Sequence, residues 1–227
     1  MIKIENVDVY GWEAAIRGAR NPMNSWDKSD TIEGWDENDA DVIIGPNDKK
    51  LLQNLAHAGP DHGKFLRMIT VTLDITAPLY WWKEFDTYKV GTVANSCSTM
   101  HKIHAKEFTL DDFSHEHLFN SFKQECDNEI VCFDGEYSYT ARGVMEDVII
   151  PVLNSYRQKF IETKDRRYWW QLIQLLPSSY NQRRTVMLNY QVLKTMYHAR
   201  KNHKLDEWRD FCDFIKNLPY SELIIDG

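Results

Sequence analysis

Hydrophobic and polar residues alternate most clearly between Leu66 and Thr76. Ile69, Val71, Leu73 and Ile75 fall on one face and Met68, Thr70, Thr72 and Asp74 on the other, the period of a strand with one buried side. Ala77-Pro78 ends this strand, and Pro78 at a first helical position opens a helix through Tyr88. Ile2, Ile4, Val7 and Val9 mark a short opening strand, followed by a short helix around Trp12–Arg17. Arg20–Asp41 is polar, rich in Asn and Asp and without a period, and reads as a long loop. Pro46-Asn47-Asp48 starts a helix that runs to about Ala58, where Gly59-Pro60 stops it.

Gly91–Met100 is small and polar and reads as a loop. Leu110–Phe122 carries a helical pattern with Asp111 and Asp112 in its first turn. Val144–Ile161 is helical with Pro151 inside it, so that either a kink or a second helix begins there. Arg166–Leu176 is a further helix halted by Pro177, and Arg183–Asn189 forms a second strand with Val186 and Leu188 on one face. Tyr190–Arg200 and Leu205–Asn217 complete the helices. No repeat or linker interrupts the chain, which reads as one domain over residues 1–227. A few strands among many helices predict α/β or α+β layering, with a small mixed or antiparallel sheet flanked by helices.

Of 227 residues, 43% are hydrophobic and 27% charged, an ordinary globular mix, but eight are Trp, a surplus that belongs in cores or subunit interfaces. The net charge of −7 gives no footprint for duplex nucleic acid or an anionic membrane. No apolar run approaches the roughly 20 residues that span a bilayer. The four cysteines form no CxxC pair and read as reduced thiols of a cytoplasmic protein. The pairs His101/His104 and His115/His117 lack a completing carboxylate or cysteine, so no metal site is expected. No Walker loop, GxGxxG or GxSxG is present, which removes the usual support for kinase, dinucleotide dehydrogenase and hydrolase readings.

Two segments carry a family resemblance. In the first, Ala77-Pro78 ends a strand and a helix leads to Thr87-Tyr88-Lys89, Thr92, Asn95-Ser96-Cys97-Ser98 and Met100-His101. In the second, Leu176-Pro177 precedes a strand holding Arg183 and ending in Asn189, then a helix ending in Arg200. Together, under a third of the chain resembles the flavin-dependent thymidylate synthases. That family's signature is Arg-His-Arg, two residues, Ser, one residue, Asn-Glu, one residue, Ser, one residue, Arg-Tyr. Thr87, Tyr88 and Lys89 fall on its Arg-His-Arg, and Gln191 on the Arg that activates the uracil.

The resemblance implies that fold, FAD as cofactor, dUMP as the small-molecule nucleotide, NADPH and methylenetetrahydrofolate as co-substrates, and a homotetramer with sites between subunits. It assigns Tyr88, Lys89 and Gln191 to catalysis, Arg183, Asn189, Arg200 and Lys89 to the flavin, and Thr87, Thr92, Asn95, Ser96 and Ser98 to the nucleotide. The alternative it leaves is a nucleotide- or flavin-binding protein that has lost catalysis, because the signature's arginines are largely replaced. Each residue also has a plainer reading. Lys89 is either a phosphate's point charge or a solvated lysine at a helix end. Arg183-Arg184 is a pyrophosphate clamp or a surface ion pair, and Asn189 is a ligand or a helix N-cap. The hydroxyl-rich stretch from Thr92 to Ser98 is a phosphate cradle or ordinary turn chemistry. Cys97 is a reactive thiol or a small buried apolar residue. Tyr80-Trp81-Trp82 and Tyr168-Trp169-Trp170 stack on a ligand or fill core and interface.

Overall fold

A computed structural model describes residues 2–34, 42–120, 131–133 and 137–226. The chain divides into two compact units, one made of Met1–Thr76, Lys83–Ser96 and Arg183–Gly227, the other of Ala77–Trp82 and Cys97–Gln182.

The first unit is built on a four-stranded sheet of order β1 (Lys3–Tyr10), β4 (Thr70–Pro78), β8 (Asn181–Asn189), β5 (Val93–Ser96), antiparallel between β1 and β4 and between β5 and β8. The expected alternation holds: Ile69, Val71, Leu73 and Ile75 are buried, as are Val186 and Leu188 of β8, while Thr70, Thr72 and Asp74 stay partly exposed. β1 breaks register between Glu5 and Asp8, where Asn6 takes a left-handed conformation, a bulge that Asn tolerates better than most residues. Helices α1 (Trp12–Arg20) and α2 (Pro46–His57) belong to this unit, as do three C-terminal helices, Tyr190–Arg200, Asp206–Lys216 and Glu222–Ile225. Helices with a small, largely antiparallel sheet are the expected class.

Several elements differ from expectation. The stretch after Arg20 contains two 3-10 turns, Asn21–Met23 and Trp26–Lys28, and a short ladder between β2 (Ile32–Glu33) and β3 (Val42–Ile43). Residues 35–41 of the expected loop lie outside the described ones. The buried Asp48 carboxylate organises the segment. It accepts from Arg20 Nε (2.6 Å), from the Ser29 and Thr31 hydroxyls (both 2.7 Å) and from the backbone N–H of Asp30 and Thr31 (both 3.0 Å). β4 begins at Thr70, because Gly63–Arg67 forms a 3-10 turn that buries Phe65 and Leu66. Pro78 closes β4 instead of opening a helix, and α3 (Leu79–Phe85) stops before Tyr88. The expected loop at Gly91–Met100 contains β5, an edge strand exposed at all four positions, so no hydrophobic period betrays it.

In the second unit, the helix expected over Leu110–Phe122 is a single 3-10 turn, Leu110–Asp112, closed by reciprocal capping between Thr109 and Asp112. Phe113 then turns extended, buries itself and bridges Tyr180. Residues 121 and 122 lie outside the described ones. A hairpin of β6 (Val131–Phe133) and β7 (Tyr137–Tyr139) leads to α4 (Ala141–Gly143). Of the two readings of Pro151, the second holds: an α-helix begins there, with the proline in its first turn. A π-helical stretch, Val144–Ile149, precedes α5 (Ile150–Thr163), and the Ile150 N–H reaches Met145 O five residues back. That wider turn accommodates a ring with no N–H to donate. Asp165 caps α6 (Arg166–Leu175) through the Arg167 N–H. Ile103, Phe108, Phe113, Met145, Leu153 and Leu172 form this unit's core.

Trp12, Trp81, Trp82 and Trp208 are fully buried, which places the first aromatic triplet's tryptophans in the core. Among the described residues no helix is long and apolar enough to cross a membrane, and no group of three His, Cys, Asp or Glu is placed to hold a metal.

Candidate functional site

A cleft of about 520 Å³ opens on the first unit. Three segments line it: the flanks of the 3-10 turn, through Pro60 and Arg67; the turn Thr87–Gly91; and the start of α7 (Tyr190–Arg200), through Asn189, Gln191, Val192 and Thr195. The volume lies within the ~300–1,000 Å³ typical of small-ligand sites.

The turn is fixed by its own polar groups. The Thr87 hydroxyl donates to Glu84 O (2.7 Å) and the Thr92 hydroxyl to Tyr88 O (2.5 Å). Gly91 has φ +80°, and a Cβ there would lie 2.9 Å from Asn189 Nδ2 and 3.1 Å from Val192 Cγ2. Only glycine fits a backbone that is both left-handed and pressed against the next wall. Asn189 Oδ1 accepts from the Val192 N–H (3.0 Å), capping α7, while the same residue lines the cleft. The plain reading of Asn189 as an N-cap is therefore correct and leaves its second face available. The helix start is pinned from behind, where Tyr190 N–H donates to Ile69 O (3.0 Å) and its hydroxyl to Pro219 O (2.5 Å).

Folding thus gathers Thr87, Tyr88, Lys89, Asn189 and Gln191 around one cavity from segments about a hundred positions apart in the chain. The other candidates lie elsewhere. Thr92 spends its hydroxyl on the turn. Asn95 and Ser96 sit on the edge strand, opposite Thr185 and Arg184 of β8. Ser98 belongs to the second unit, where its oxygen accepts from the N–H groups of Met100 and His101 (3.2 and 3.0 Å). The stretch from Thr92 to Ser98 is therefore a strand and a turn, not one cradle. Cys97 is exposed, not buried.

Both arginines expected to bind the flavin are engaged within the fold. Arg183 donates to Asp74 (2.7 Å) and approaches Glu5 (3.6 Å). The Thr185 hydroxyl, then Arg183 and Asn6, hold the Asp74 carboxyl well below the usual carboxylate range. Its neighbour Arg184 pairs separately with Asp86 (2.7 Å), so the two do not act as one clamp. Arg200 donates to Glu84 Oε2 (2.7 Å) and to the Tyr88 hydroxyl (2.9 Å), with its guanidinium over the Trp208 ring at 4.8 Å. Trp208 Nε1 donates to the same Glu84 oxygen (3.0 Å).

The cation that sequence reasoning missed is Arg67. It lines the cleft, is exposed and, like Lys89, pairs with no carboxylate among the described residues. Reading Leu66–Thr76 as one strand made Arg67 an ordinary strand-end residue. Its only signal was a second basic side chain, with Lys64, just ahead of the apolar alternation.

No protein-family model matches the chain, and no curated protein matches it by sequence. Solved structures do match in shape. A flavin-dependent thymidylate synthase, ThyX, from Helicobacter pylori, complexed with FAD and dUMP, superposes with a TM-score of 0.66 at 16% identity, over 99% of this chain and 98% of that one. A second structure of the Helicobacter pylori enzyme with FAD and dUMP gives the same score and identity over 100% and 98%. A UMP/dUMP methylase, PolB, from Streptomyces cacaoi, bound with 5-Br dUMP, gives 0.60 at 15% identity over 98% and 94%. Over essentially its whole length, then, this chain is built on the fold of the flavin-dependent thymidylate synthases.

Proposed function

We propose that the protein is a flavoprotein that binds a pyrimidine deoxynucleotide in the cleft of its first unit and modifies the base at C5, by the thymidylate synthase route or a related one. One observation carries the reading: the two segments that resemble the family meet at one cavity lined by two cations that pair with no carboxylate among the described residues. Arg67 offers a planar fork for a phosphate and Lys89 a point charge. The N-terminus of α7 adds its dipole on the same side. Gln191 replaces a guanidinium with a neutral amide, which can still hydrogen-bond a uracil edge.

FAD, when bound, supplies the hydride, with NADPH as reductant and methylenetetrahydrofolate as carbon donor. The cleft's donor set fits one phosphate group. The flavin's pyrophosphate asks for further cations, since Arg183 and Arg200 are committed elsewhere. A homotetramer would supply them from a second copy, and Val7, Tyr10, Met68 and Val93 offer exposed apolar surface on this unit.

The test is to titrate the purified protein with FAD while following flavin absorbance, then to express it in a thymidine-requiring host. Bound flavin and rescued growth are expected. A protein that takes up no FAD would overturn the reading. The engagement of Arg183 and Arg200 favours a second reading, binding without turnover, which predicts bound FAD and dUMP but no rescue.

A further inference from the structure

The net charge of −7 conceals a local excess of the opposite sign on one part of the second unit. Residues 101–107 and 156–167 together hold seven Lys and Arg against three Asp and Glu. The two segments pack on one another. Arg157 Nε donates to His104 O (3.0 Å), the His104 ring meets Phe160 edge-on at 4.8 Å, and Trp169 Nε1 donates to Met100 O (2.9 Å). Two of the seven cations are cancelled, Lys106 by Asp112 and Arg167 by Asp165. The remaining five, Lys102, Arg157, Lys159, Lys164 and Arg166, pair with no carboxylate among the described residues. Burial, followed by Lys102, Lys164 and Arg157, pushes the His104 pKa down, and no acid offsets them.

Helix stability does not account for this. A cation after the end of α5 suits the helix dipole and explains Lys164. Lys102 comes from a turn, and Arg166 opens α6, where the dipole disfavours positive charge. Aromatic rings are interleaved with these cations. Lys159 Nζ lies 5.6 Å from the Tyr168 ring centre. Trp170, 45% exposed, follows Arg166 by four residues on the same helical face. The exposed positions of α5 nearby, Gln158, Lys159, Glu162 and Thr163, are polar, so the surface lacks the apolar face that lodges a helix in a lipid interface.

We propose that this surface binds single-stranded nucleic acid, with Lys102, Lys164 and Arg166 taking phosphates and the exposed Trp170 stacking on a base, the Tyr168 ring being already stacked on Tyr156. Such pairing of a cationic track with aromatic platforms is how single strands are held without sequence preference.

The experiment is fluorescence anisotropy of a labelled oligothymidylate with the full chain at several salt concentrations. Binding is expected at low salt, weakening with a log–log slope of about −2 for three phosphates. Lys102→Glu with Lys164→Glu should weaken it more than about tenfold. Trp170→Ala should weaken it by about tenfold with the salt slope kept. Unchanged unfolding midpoints show that the variants are folded. No binding by the unaltered protein, binding indifferent to the charge reversal, or equal capture of phosphatidylserine vesicles through the same lysines would overturn the proposal.

Discussion

The first unit holds two kinds of cation, and they differ in what they are free to do. Arg20, Arg183 and Arg200 are each bound to a carboxylate of the fold, Asp48, Asp74 and Glu84. Arg67 and Lys89 face the cleft with no such partner among the described residues. Arg183 and Arg200 keep the order expected from the family resemblance, yet both are tied up. Arg67 occupies no position that the resemblance singled out, yet it is available. Matching a residue to a motif establishes its place in the chain, whereas its neighbours decide whether its charge can act on a ligand.

The largest contrast should come from Asp48→Ala. Arg20, 4% exposed, would be left as a buried unpaired charge, at a cost of about 3–5 kcal/mol. Denaturant unfolding should show this loss, while dUMP affinity measured on the remaining folded protein stays unchanged. Acid provides a milder form of the same test. Burial pushes the Asp48 carboxyl up, but the Ser29 and Thr31 hydroxyls, Arg20 and the Asp30 N–H together hold it below its ordinary value. Its contribution is therefore complete above pH ~4, the unfolded carboxylate's range, and is lost as the pH falls through the lower folded value. Asp48→Asn should flatten that acid limb of the unfolding curve.

Arg67→Ala should act the other way, with stability within ~0.5 kcal/mol of the parent because the side chain is exposed. Loss of a charged hydrogen bond of about 1.5–3 kcal/mol should weaken dUMP binding roughly 10- to 150-fold by calorimetry. Gly91→Ala should cost about 1–3 kcal/mol in thermal unfolding, since its Cβ would displace the Asn189 carboxamide that caps α7 and walls the cleft. The smallest effect belongs to Arg183→Ala. If the Asp74 pair is a surface contact, dUMP affinity should stay within about twofold of the parent, a change below ~0.5 kcal/mol. A larger loss would return Arg183 to the site and erase the contrast.

Much of this fold was legible in the sequence wherever burial imposed a period. β4 alternates because one face lies on the core, and Val186 with Leu188 marked β8 for the same reason. Asn189 announced the start of α7 through a short polar side chain that accepts a backbone N–H group. What was hidden had no period to read. β5 is exposed at every position, so only its pairing with β8 makes it a strand. Leu110–Phe122 had a helical pattern, but Asp112 is spent on a cap and Phe113 gains more by burial beside Tyr180. At the site, Lys89 on the Thr87–Gly91 turn and Asn189 and Gln191 at the start of α7 were candidates in the sequence, and the cleft brings them together. The pairing of Arg200 with Glu84 and Tyr88 spans more than a hundred positions and leaves no local trace.

The central claim is that the cleft reads a nucleotide's phosphate through Arg67 and Lys89. Calorimetric titration with dUMP and with deoxyuridine, in the presence of FAD, measures this for the parent protein and for the double variant Arg67→Ala, Lys89→Ala. The account predicts that the parent prefers dUMP by about tenfold or more, and that the variant binds both ligands alike. A parent that does not distinguish them, or a variant that keeps the full preference, would contradict it.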